Sequence, residues 1–269
     1  MLKFNNKVLK INGNWLNPSG SPVPPVPVLP DNTIRLKYAE GVTPTFSKGT
    51  AVQVSSSPNV WDLTCNDWCS LLQGHTNLLE VIAANSSNIT SMGYMFDGCN
   101  SLNKVALFDT SNVINMNGMF KSCSSLQEVP LFDTSNVINM NGMFNYCRTL
   151  SIVPLFNTSK VTDMSLMFHN CYALTTVPLF NTSNVTNMDS MFQHCDALTS
   201  VPLFDTSKVT DMDLMFEWCT HVQSGALALY QQASTQTTIP TNHNRTFHDC
   251  GSNTSSGSAE LEQIPSDWQ

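Results

Sequence analysis

Apolar and polar positions recur with a 24-residue period along most of this chain. Residues 107–130 read LFDTSNVINMNGMFKSCSSLQEVP, and residues 131–154 read LFDTSNVINMNGMFNYCRTLSIVP. Residues 155–178, 179–202 and the start of 203–226 continue in the same register; 83–106 is a degenerate copy and 59–82 a more distant one. Cys99, Cys123, Cys147, Cys171, Cys195 and Cys219 mark the period. In the copy starting at Leu107 the apolar skeleton is Leu107, Val113, Met116, Met119, Phe120, Cys123, Leu126 and Val129.

Met116, Met119, Phe120 and Cys123 stand at i, i+3, i+4 and i+7, which predicts one face of a short helix. Leu126 and Val129, running through Pro130 to Leu131, predict a short extended segment. A unit of this size cannot bury its own apolar face, whereas stacked units can. The expected fold class is therefore an α/β repeat solenoid with short parallel strands and short helical turns, capped at both ends.

The motif Cys-x-x-Leu-x-x-Val-Pro-Leu-Phe-Asp/Asn-Thr-Ser-x-Val-x-x-Met-x-x-Met-Phe resembles the BspA-like leucine-rich repeats of bacterial surface proteins. The resemblance covers roughly residues 83–222, and more loosely 59–233. It implies a right-handed coil and roles in adhesion and protein–protein contact. It implies no catalytic residues.

Charge narrows the partners. Charged residues make up 12% of the chain, the net charge is −8, and the 12 Lys and Arg are scattered singly. No basic stripe exists to neutralise phosphates, so neither nucleic acid nor an anionic membrane is an expected partner. No apolar run approaches the ~18 residues of a membrane span. The first ten residues interleave lysines with apolar residues and show no signal-peptide core.

Within the repeats, Asp109, Asp133 and Asp205, with Asn157 and Asn181, precede a constant Thr-Ser pair. This predicts a column of Asx turns rather than a calcium ladder, since two of the five copies carry Asn and no second acid accompanies them. The cysteine column shares a face with Met and Phe, so reduced, buried thiols are expected. With nine cysteines, at least one is unpaired within the chain.

Three columns beside the cysteine vary freely: positions 121, 145, 169, 193, 217; the residue after each; and 124, 148, 172, 196, 220. They are expected to line up on one surface. Tyr146, Arg148, Tyr172, His194 and Trp218 then form a stripe of residue types that anchor interfaces, with drift on an unconstrained surface as the alternative. Ser151, Thr175, Thr176, Thr199 and Ser200 mark a blander, hydroxylated face.

The ends read as separate pieces. Residues 59–82 are the expected N-terminal cap, with Asp62 or Thr64 capping a helix that carries Trp68, Leu71 and Leu72. Residues 59–226 form the repeat domain and 227–269 a C-terminal cap, with an amphipathic helix around Ala226, Leu229 and Ala233. His243, His248 and Cys250 match no zinc spacing, and neither metal nor cofactor is expected. Thr33–Tyr38 and Ala51–Val54 suit strands within a small β segment, 31–58. Residues 19–30 read as a Pro-rich linker. Residues 1–18 read as an attachment hairpin turning at Asn12-Gly13 and offering Val8, Ile11 and Trp15 to another virion or surface protein, or to further copies of itself.

No Ser/His/Asp or Cys/His set stands where the repeats could converge it, so an enzyme is not expected. The expectation is a binding protein whose repeats contact a protein or glycan on a bacterial surface. Two locations stay open. One is a bacteriophage virion, as a head or tail fibre or decoration protein, which needs no export signal; the other is the bacterial cell surface. A purely structural scaffold is a third reading.

Overall fold

The computed structural model describes residues 9–11, 14–16, 29–54, 57, 59–237 and 239–269. Near the N-terminus, β1 (Leu9–Ile11) pairs antiparallel with β2 (Asn14–Leu16). Asn12-Gly13, Val8 and nearly all of the Pro-rich stretch lie outside the described residues.

The first body is one five-stranded sheet. Its strands are β3 (Thr33–Tyr38), β4 (Thr50–Gln53), β5 (Val60–Thr64), β6 (Leu78–Asn85) and β7 (Lys104–Val105), in the order β4-β5-β3-β6-β7. All pairs are antiparallel except β6 with β7, which is parallel and leads into the repeats. The division into a small β segment and a separate helical cap therefore does not hold, because β5 and β6 flank β3 in the same sheet. Asp62 and Thr64 cap no helix, since both lie in β5. Asp62 faces Arg35 across the strands and accepts two hydrogen bonds of 2.7 Å from its guanidinium, a planar fork-to-fork pair. Trp68, Leu71 and Leu72 are buried, Leu71 and Leu72 on turns, and none of them on a helix.

From Met92 onward, each copy is tied to the next through its backbone. In the copy at 107–130, the N–H groups of Met116, Gly118, Phe120 and Ser122 donate to the carbonyls of Asn139, Asn141, Met143 and Asn145. The intervening Met119, Lys121 and Cys123 donate instead to carbonyls three residues back. Gly118 and Ser122 lie in the left-handed region, at φ 58 and 60, and a left-handed pair four residues apart recurs in every copy. This alternation rules out the predicted helix: an α-helix needs every residue right-handed and every N–H donating to the carbonyl four residues back. Met116, Met119, Phe120 and Cys123 still point into the core, each with no exposed surface.

Continuous parallel strands do not form along the segment at Leu126–Leu131 either. Parallel pairing at that repeat position is confined to β6 with β7 and the single bridge of Ser200 with Ser224, while a ladder of bridges runs through Ser91, Asn115, Asn139, Asp163, Asn187 and Asp211. Pro130, Pro154, Pro178 and Pro202 interrupt the expected strand segment, because proline has no N–H to give.

Two phenylalanine columns fill the interior. Phe96, Phe120, Phe144, Phe168, Phe192, Phe216 and Phe247 lie ring on ring, with centroids 5.1 to 5.9 Å apart. The second column is Phe108, Phe132, Phe156, Phe180 and Phe204. Its placement corrects the skeleton read from sequence. In Leu-Phe-Asp-Thr the phenylalanine and threonine are buried, while Leu107, Leu131, Leu155, Leu179 and Leu203 stand 52–61% exposed. The segment alternates as extended backbone does, so leucine shares a side with the solvated aspartate.

At the C-terminal end, α1 (Ala226–Ser234) buries Ala226, Leu229 and Ala233. Beyond it, residues 241–251 form one more partial copy. Asn242 bridges Asp211, Phe247 stacks on Phe216, and left-handed Arg245 and Asp249 match Leu214 and Trp218. Helix α2 (Ser255–Leu261) follows, capped by the Thr254 hydroxyl. Trp268 then closes the array, accepting from Phe247 N–H and lying 4.2 Å from the His243 ring.

All nine cysteines are free, and seven are buried. Each repeat thiol donates to a carbonyl of the preceding copy, as Cys147 Sγ does to Phe120 O at 3.1 Å. Burial raises the pKa of these thiols, that of Cys99 to about 12. A thiol reagent is expected to label Cys65 and Cys69 in the native protein and the other seven only on unfolding. A pKa raised in the folded state stabilises fully below the ordinary thiol pKa of about 8.5, and that contribution is lost as pH rises above it. Each thiol then costs roughly 1 kcal/mol per pH unit. Seven together approach a typical domain's stability of about 5–15 kcal/mol. Thermal melts should show steep loss of stability between about pH 8.5 and 10. Denaturant melts should also separate the two columns: Phe156→Ala is expected to cost about 3–5 kcal/mol, and the adjacent Leu155→Ser less than about 0.5.

Candidate binding surface

The five stripe residues come from four consecutive copies, and the structure brings them together along one edge. The Arg148 guanidinium carbon lies 5.9 Å from the centroids of both the Tyr146 and Tyr172 rings, within cation–π range. Tyr172 meets His194 edge-on at 6.5 Å, and His194 lies parallel to Trp218 at 6.0 Å. The edge continues to His248, whose ring meets Trp218 at 5.5 Å. Tyr146, Tyr172 and Trp218 are each about 37–38% exposed. The Tyr172 hydroxyl donates to Asn170 Oδ1 at 2.6 Å, which fixes the ring.

Tyr146, His194 and Trp218 occupy the second left-handed position of their copies, at φ 63, 60 and 63. Other copies fill that position with Gly98, Ser122 or Asn170. Glycine and Asn suit it, whereas a bulky side chain there costs about 1–2 kcal/mol. Three copies thus carry a large ring where the backbone disfavours one.

Not all the variable columns are surface, contrary to the expectation. Asn145, Asn170 and Glu217 are buried, and His169 is half-buried. Burial lowers the His169 pKa to about 4, helped by His194 and opposed by Glu217, so its ring is neutral at neutral pH. The buried Glu217 carboxylate accepts from Gln193 Nε2 and pairs with Arg245 at 2.5 Å.

The Asp/Asn columns act as turn formers. Asp109, Asp133, Asn157, Asn181 and Asp205 each accept from the N–H two residues on, at 2.9–3.2 Å. Among the described residues, no group of His, Cys, Asp and Glu could hold a metal ion. His243 stacks on Trp268, His248 lies beside Glu217 and Asp249, and Cys250 is in the core. No described helix is long and apolar enough to cross a membrane. Ile11 and Trp15 fall on β1 and β2, and Val8 lies outside the described residues.

The sequence reading missed the exposed leucine column. Period-two alternation in Leu-Phe-Asp-Thr was the signal for it. It also missed the last partial copy, although Phe247-x-x-Cys250 repeats Phe216-x-x-Cys219.

Two stretches, 66–153 and 149–257, match the family model described as "Mycoplasma protein of unknown function, DUF285". Together they span more than half of the chain. The chain belongs to the DUF285 family. The second stretch of this DUF285 chain runs through the partial copy at 241–251. No curated protein matches the chain.

The left-handed column is open to a direct test. Tyr146→Asn is expected to keep stability within about 1 kcal/mol of the parent or raise it, because Asn tolerates φ near 60. Tyr146→Val should lose about 1–2 kcal/mol, since a β-branched side chain fits that region worst. Urea denaturation of the three proteins reads the difference.

Proposed function

We propose that this DUF285 chain is a non-enzymatic binding protein whose copies form a right-handed solenoid of the BspA-like leucine-rich-repeat kind, capped at both ends. Its aromatic edge contacts a protein or glycan on a bacterial surface. One observation carries the reading: Tyr146, Arg148, Tyr172, His194 and Trp218 touch in series along four copies, half-exposed. Tyr, Trp and Arg are the residue types that concentrate binding energy. Three of the five stand where the backbone favours Gly or Asn, a local cost that a binding role would offset.

The finer part of the proposal is location. A hairpin followed by a Pro-rich stretch and a repeat domain has the layout of a virion fibre or decoration protein of the phage-encoded type, with residues 1–18 held by another virion protein or by further copies. A second reading is a bacterial cell-surface adhesin of the same kind. The family description, which names a Mycoplasma protein, favours it. Immunoblotting of cytosol, envelope and gradient-banded particles from the source culture separates the two.

The binding proposal is tested with Tyr146→Ala, Tyr172→Ala and Trp218→Ala, made singly and together. Each substitution is expected to leave the melting temperature within a few degrees of the parent. The triple variant should lose adhesion to the source bacterium's surface by more than tenfold. Undiminished adhesion by a folded triple variant would sink the proposal.

A further inference from the structure

The N-terminal sheet carries a cleft that owes nothing to the aromatic edge. It lies between the β3–β4 connection at 42–47 and the residues 73–77 that lead into β6, and its volume is about 540 Å³. That is the size of a small-ligand site, large enough for one or two sugar rings.

Three rings line it. The buried Tyr38 hydroxyl is 2.6 Å from His75 Nδ1, which fixes both side chains. Phe46 lies against His75 at 5.4 Å and meets Tyr38 edge-on at 6.2 Å. Burial lowers the His75 pKa, so this imidazole is neutral at neutral pH.

The remaining wall sets hydroxyl and amide side chains beside Val42, Pro44 and Gly74. Thr45, Ser47, Gln73 and Asn77 are all exposed there. Gln73 donates its amide to Asp97 Oδ2 at 2.8 Å, which positions the side chain. None of the twelve lining residues is Lys, Arg, Asp or Glu. Two cations adjoin lining residues in sequence, and both are engaged: Lys37 with Glu80 at 4.0 Å, and Lys48 with Asp67 at 2.6 Å and with the Cys69 carbonyl.

This chemistry discriminates among ligands. A phosphate or carboxylate would find no cation, and an ammonium ion no carboxylate. A wholly apolar ligand would cover hydroxyls and amides without giving them hydrogen bonds. What fits is an uncharged molecule with an apolar face for the rings and hydroxyls around its rim. We infer that the cleft between residues 42–47 and 73–77 binds a neutral saccharide, with Phe46 and His75 as its apolar platform and Gln73 and Asn77 among its hydrogen-bonding groups.

The test is a ¹H–¹⁵N NMR titration of the full chain. The probes are glucose, galactose, mannose, N-acetylglucosamine, lactose, maltose and cellobiose, each taken to about ten times a Kd of ~1 mM. At least one should move the amides of 42–47 and 73–77 saturably. Phe46→Ala and Gln73→Ala should each weaken that binding at least tenfold; Gln73 is exposed, so its variant retains the fold if Phe46→Ala does not. Trp218→Ala, which addresses the aromatic edge, should leave these shifts unchanged. No saturable shift from any sugar overturns the inference. So does binding that survives Gln73→Ala and a folded Phe46→Ala, or saturable shifts of the same amides with inorganic phosphate. Shifts confined to the Tyr146–Trp218 edge would overturn the cleft while leaving the aromatic edge standing.

Discussion

Between residues 116 and 122, every second amide donates forward to the next copy; of those between, Met119 and Lys121 turn back by three residues and Asn117 donates to the Asn115 side chain. This one hydrogen-bonding rule organises the repeats. It sends a row of N–H groups toward the following copy and presents carbonyls to the preceding one, so each unit is satisfied only when flanked on both sides. Its cost is conformational, because two residues per copy must take positive φ, four positions apart. Its benefit is spacing. It holds successive copies close enough for phenylalanine rings to sit 5.1 to 5.9 Å apart, which leaves little room for anything but matching side chains.

The cysteine column follows from that spacing. The carbonyl of Phe120 already accepts from the Cys123 amide within its own copy and takes the Cys147 thiol as a second donor. A site of this kind needs a small side chain with an apolar body and a weak donor. A thiol meets both requirements, whereas an alkyl group would leave the second lone pair unused. The column is thus bound up with the backbone rule, and its acidity is suppressed as a by-product of burial.

The 24-residue period, the free buried thiols and the residues of the aromatic edge were legible in the sequence because they depend only on repetition. Local conformation was not. The i, i+3, i+4, i+7 spacing of Met116, Met119, Phe120 and Cys123 signals a helix in most contexts, but a turn ladder places the same four residues in the core. Residue type gave a mixed signal: Gly118 and Gly142 suit the left-handed region, but Leu166 and Leu214 occupy the same position in later copies, one that leucine seldom takes. Leu107 was read as core because it is apolar, although its alternation with Phe108 says the opposite. The last partial copy was hidden by an insertion: α1 and its flanks lengthen the Phe216-to-Phe247 spacing beyond one period, so a search at fixed period passes over it.

The backbone rule also separates two kinds of variable column. At positions 145 and 217 the polar residues are buried, and their identity answers to neighbours, as Glu217 answers to Gln193 and Arg245. At the second left-handed position the backbone itself prefers Gly or Asn, and Gly98 and Asn170 conform. Tyr146, His194 and Trp218 do not conform, and each touches another ring or a cation of the same edge. Drift at an unconstrained position would favour residues the backbone accepts at no cost. Large rings set against that preference, in mutual contact and half-exposed, are what a surface maintained for binding would present. The fold needs a left-handed residue at those three points, and it has no need of rings there.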